Sequence, residues 1–173
     1  MPEISGADQI TFFIVNSAKA AEVESLKSDL TAFAAVSREK DEVDEDALEA
    51  ARLSIERLSN HSIWHGLTIF PEGNPAYEYY IEKNGLLDSH ANYDPSVYQD
   101  HLYGHGIELA QYPLYLVNVF DEAGILRLLS AMRDLLSQKL FAAEREELAT
   151  VLATLSQIDA AKSIVILWYV QWT

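Results

Sequence analysis

The chain has 173 residues, 49% of them hydrophobic, and no cysteine. It can bury one substantial core, while disulfides, thiolate metal sites and cysteine nucleophiles are excluded together. Twenty-seven acids against twelve Lys and Arg give a formal charge of −15, a field that repels nucleic-acid phosphates and anionic membrane surfaces and draws basic partners inward.

"ITFFIVN" (residues 10–16) is apolar, β-branched and aromatic, the chemistry of a buried strand. Ser17 or a neighbour caps the helix that follows, whose stripe is Val23, Leu26, Leu30 and Phe33. "REKDEVDED" (38–46) is a charged break. A second helix carries Leu48, Ala51, Ile55 and Leu58 on one face.

"SIWHGLTIF" (62–70) returns to strand chemistry, "PEGNP" (71–75) is a turn cluster, and "AYEYYIEKNG" (76–85) reads as the partner strand of a hairpin. Residues 86–112 have weak periodicity. "PLYLVNVF" (113–120) is a further strand, and Asp121 stands where a helix cap belongs. The next helix presents Ile125, Leu128, Leu129, Met132 and Leu136; another presents Leu148, Val151, Leu152, Leu155 and Ile158. "SIVILWYVQW" (163–172) is apolar on both faces, which predicts a central strand covered on both sides.

The order is β-α-α-β-β, a loop-rich insert with a short helix, then β-α-α-β. This predicts a single α+β or α/β domain over 1–173, with a mixed central sheet of about five strands and helical pairs packed on it. "FFIVN" and "YLVNV" each precede a helical pair, but the shared residues are too few to establish a duplication.

Residues 61–112 stand apart. All five histidines and seven of the nine tyrosines fall there, with seven acids and one base, Lys83. The local formal charge is −6, against −7 for the first sixty residues and −2 for the last sixty-one. Tyr77, Tyr79 and Tyr80 are assigned to sheet packing. Within the loop-rich part, 84–112, tyrosines and acids together suit a recognition surface for a basic protein. The residues expected to contact a partner are Asp88, His90, Tyr93, Asp94, Tyr98, Asp100, His101, Tyr103, His105 and Glu108, together with Asp44, Glu45 and Asp46 of the acid run "DEVDED" (41–46). Acids at a helix start are also favoured by the helix dipole alone.

The histidine spacings argue against a metal. His61 and His65 lie on a strand, where four residues span about 13 Å. His101 and His105 have zinc-protease spacing, but the glutamate of that motif is missing, since Leu102 follows His101. "DPS" (94–96) reads as a helix start and Gly104 as its stop, so His101 lies in a last turn and His105 beyond the cap. No phosphate-binding glycine loop and no nucleophile elbow is present. No catalytic, metal or cofactor residue is therefore assigned.

The expectation is an acidic, cytoplasmic, non-enzymatic binding protein of the inhibitor or immunity type, occluding a basic partner such as a toxin or nuclease. Direct contact with nucleic acid or membrane is not expected: there is no basic leader before an apolar run, and the longest apolar run, Ile164 to Val170, is far short of a membrane span. The alternatives are a small hydrolase using His, Asp and Glu from 88–108, with or without a metal, and a homo-oligomeric structural subunit.

Overall fold

The computed structural model describes residues 8–39, 44–67, 106–111, 114–137 and 142–171. Its strands are β1 (Asp8–Asn16), β2 (His61–Leu67), β3 (Ile107–Gln111), β4 (Leu114–Phe120) and β5 (Ser163–Gln171). Its helices are α1 (Ala20–Glu39), α2 (Glu45–Leu58), α3 (Glu122–Leu136) and α4 (Ala142–Leu155). The fold is α+β, with helical pairs packed on one five-stranded sheet.

The sheet order is β2-β1-β5-β4-β3, and every ladder is antiparallel. β5 occupies the centre because its seven inner residues, Ile164 to Val170, are apolar or aromatic on both faces. Ile164, Ile166, Trp168 and Val170 point to one face and Val165, Leu167 and Tyr169 to the other, and all seven are buried. Its neighbour β1 is built the same way, with Phe13 and Val15 on the first face and Ile10, Phe12 and Ile14 on the second.

The two helical pairs cover opposite faces. Val23, Leu30 and Ala34 of α1 and Leu48 and Ile55 of α2 pack with Val117, Ile166 and Leu109. Ile125, Leu128, Leu129 and Met132 of α3 and Leu148, Val151 and Leu155 of α4 pack with Phe12, Leu116 and Leu167. The pairs are crossed: α1 reaches over to edge strand β3 and α4 to the opposite edge strand β2. Each pair thus completes its core on strands from the other half of the chain. Burial of this kind contributes roughly 1.5–3 kcal/mol per large apolar side chain.

The predicted helical stripes are the ones buried, with Leu26, Phe33, Ala51, Leu58, Leu136 and Leu152 at their margins; Ile158, read on the last stripe, lies in the bend beyond α4 and packs against the same core. Caps hold the starts. Asn16 accepts from the Ala18 amide at 2.9 Å, Asp44 from Ala47 at 3.0 Å and Asp121 from Gly124 at 2.9 Å. The cap before α1 is thus the neighbour of Ser17, and a 3-10 turn over Ser17–Lys19 leads into the helix.

One strand was not expected. β3 lies inside the stretch of weak periodicity, and a bulge between Glu108 and Ala110 interrupts its alternation, with Leu109 fully buried at that point. The predicted partner strand over 76–85 and the short helix starting near 94 lie outside the described residues.

The two β-α-α-β units share strand order and strand direction across the sheet, yet their helices lie on opposite faces. That relation is a reflection. No rotation superposes one unit on the other, so they are not a structural repeat.

Candidate recognition surface

The acid turn begins with a cap. Asp44 is extended (φ −88°, ψ 92°) and its carboxylate satisfies the Ala47 amide. Glu45 and Asp46 follow in the first turn, where the helix dipole favours negative charge. All three side chains are exposed. One turn on, Glu49 is held by Arg52, with Nη2 donating to Oε1 at 2.6 Å and Nε to Oε2 at 3.1 Å. Arg52 also donates through Nη1 to Glu56 Oε2 at 3.4 Å. The hydrogen bond from Arg52 holds the Glu49 carboxyl below the usual carboxylate range, and the same bond raises the Arg52 guanidinium above its ordinary value.

Beneath this turn lies an aromatic pair. Tyr115 of β4 meets Trp168 of β5 edge to face, with ring centroids 5.9 Å apart and planes at 69°. Burial pushes the Tyr115 hydroxyl above the ordinary tyrosine value, and the negative charges of Glu45 and then Glu49 push it in the same direction. The first turns of α2 are therefore within electrostatic reach of Tyr115, some seventy residues away in sequence.

The charges around this turn extend over a whole layer. The Asp44 cap, α1 and α2 carry nine acids and four basic residues, a formal −5, and all nine acidic residues are exposed. On the opposite face, the Asp121 cap, α3 and α4 carry six acids and three basic residues, a formal −3. Among the described residues, the helical pair on one face therefore carries the larger negative charge.

The strand register aligns the end of β2 with the ends of its neighbours. Asp8 pairs with both Leu67 and Gln171, and Gln171 with Leu114, so β2 ends where β4 begins and β5 ends. α2 starts at this same end of the sheet, since its last residue, Leu58, precedes His61, which pairs with Ile14 at the other end. The acid turn and the point where the chain leaves β2 toward residue 68 thus share one end of the sheet.

Glu108 is separate from both. It is half-buried on β3 opposite Leu116, on the face that carries α3 and α4. Asp88, His90, Tyr93, Asp94, Tyr98, Asp100, His101, Tyr103 and His105 lie outside the described residues, as do most of the groups on which a hydrolase reading draws. His61 and His65 are on strand β2, as the strand chemistry of this stretch predicted, and His61 is exposed. In register, His65 aligns through Ile10, Tyr169 and Leu116 with Glu108, on opposite edges of the sheet. Four strand spacings separate them, about 19 Å. Among the described residues, no three His, Asp or Glu side chains converge to hold a metal, and no helix is long and apolar enough to cross a membrane.

Sequence reasoning placed Trp168 in the core, where it is, but gave no sign of Tyr115 beneath the acid turn. Tyr115 alternates with apolar neighbours on β4 and carries no local mark of its position. No protein-family model matches the chain, and comparison with curated proteins and with solved structures gave no match.

Proposed function

We propose that the chain is an acidic binding protein that captures a basic protein partner, in the manner of an inhibitor or immunity protein, and presents its α1/α2 layer to that partner. One observation carries this reading: nine exposed acidic residues and a formal −5 on one helical layer, against six acids and a formal −3 on the other. A one-sided field orients an approaching cationic protein before contact and raises its association rate. A toxin or nuclease fits the partner class, because a phosphate-binding surface is rich in Lys and Arg that carboxylates can occupy. The reading uses the acids as fixed charges and requires no catalytic group.

The test is capture from a native lysate at low salt, using the wild-type chain and an E45Q/D46N/E49Q variant that keeps the Asp44 cap. Wild type should retain a protein of high isoelectric point that the variant loses. The association rate of that protein should then fall steeply as salt rises. Equal recovery by both chains, or an association rate indifferent to salt, would overturn the reading.

A further inference from the structure

We draw no further inference here: the strongest candidate, the acid-and-aromatic cluster at the entry to α2, where the charges of Glu45 and Glu49 bear on Tyr115 and its neighbour Trp168, belongs to the surface already described, and no second observation in the structure points to a ligand there.

Discussion

Tyr115 and Trp168 stand on adjacent strands, edge to face at 5.9 Å, on the sheet face that α2 covers. The pair links the buried centre of the sheet to the charged start of α2. Its energetic worth beyond simple burial is about 0.5–1.5 kcal/mol.

Tyr115 should titrate above the ordinary tyrosine value of 10.0, with burial as the first cause and Glu45 and Glu49 as the next two. Its folded state favours the protonated phenol. The stability this contributes is present below the ordinary tyrosine value and is lost as pH rises through the raised one. An E45Q/E49Q variant should move the tyrosinate absorbance transition of Tyr115 down without restoring the ordinary value, because burial remains. A transition unchanged in the variant would show that the two glutamates do not act on this hydroxyl.

Asp44 combines a cap with a surface charge, and two substitutions separate these roles. Asp44→Ala should cost about 1 kcal/mol by leaving the Ala47 amide unpaired. Asp44→Asn keeps an acceptor and should be nearly neutral in urea denaturation. If the α2 entry meets a basic partner, Asp44→Asn should still slow association. Equal stability losses for Ala and Asn would mean that the cap hydrogen bond is not what Asp44 contributes.

The Glu49–Arg52–Glu56 bridge lies on an exposed helix face, so it should be weak. Arg52→Ala is expected to cost about 0.5 kcal/mol at low salt and less at high salt. The lowered Glu49 value contributes stability that is present above the ordinary carboxylate range and is lost as pH falls through the lowered value. Thermal melts at two ionic strengths read the salt effect directly; a loss above 2 kcal/mol would mean that Arg52 supports packing as well as charge.

Gly106 precedes β3 with no room for a side chain. A Cβ there would lie 2.6 Å from Leu116 Cγ, inside contact distance of a buried side chain. Gly106→Ala should cost about 1–3 kcal/mol through overpacking. Leu116→Ala in the same chain should relieve part of that cost, so the double mutant should be more stable than the sum of the two single losses implies. Simple additivity would place the conflict elsewhere.

Leu167 is fully buried on the central strand, facing α3 and α4. Leu167→Ala should cost about 2–5 kcal/mol. Because each helical pair completes its core on strands from the other half of the chain, spectroscopic probes on the two faces should lose structure together. Two separated transitions would show that the faces unfold independently.

What the sequence disclosed was local. The stripe from Val23 to Phe33, the Asp121 cap and the two-sided run from Ile164 to Val170 each follow from short-range periodicity or backbone hydrogen bonding, and each is found where it was read. β3 escaped because five residues interrupted by a bulge lack the alternation that marks a strand. Cover on both faces was legible in the two-sided run, but which helical pair takes which face was not, because the hand of a crossover is decided by the whole sheet. The acid run was visible as charge, but its closeness to Tyr115 depends on α2 lying over β4, which no neighbouring residue encodes.

The central pairing of β1 with β5 also has a kinetic side. Asp8 through Asn16 align with Gln171 back to Ser163, joining the first and last described strands of the chain. During synthesis, β1 emerges well before β5 and must wait for everything between them before its inner neighbour exists. Until then one long hydrophobic edge stays open. Contacts of such high sequence separation slow folding and prolong the aggregation-prone interval. A nascent chain of this topology has most to gain from a chaperone holding β1 until β5 arrives.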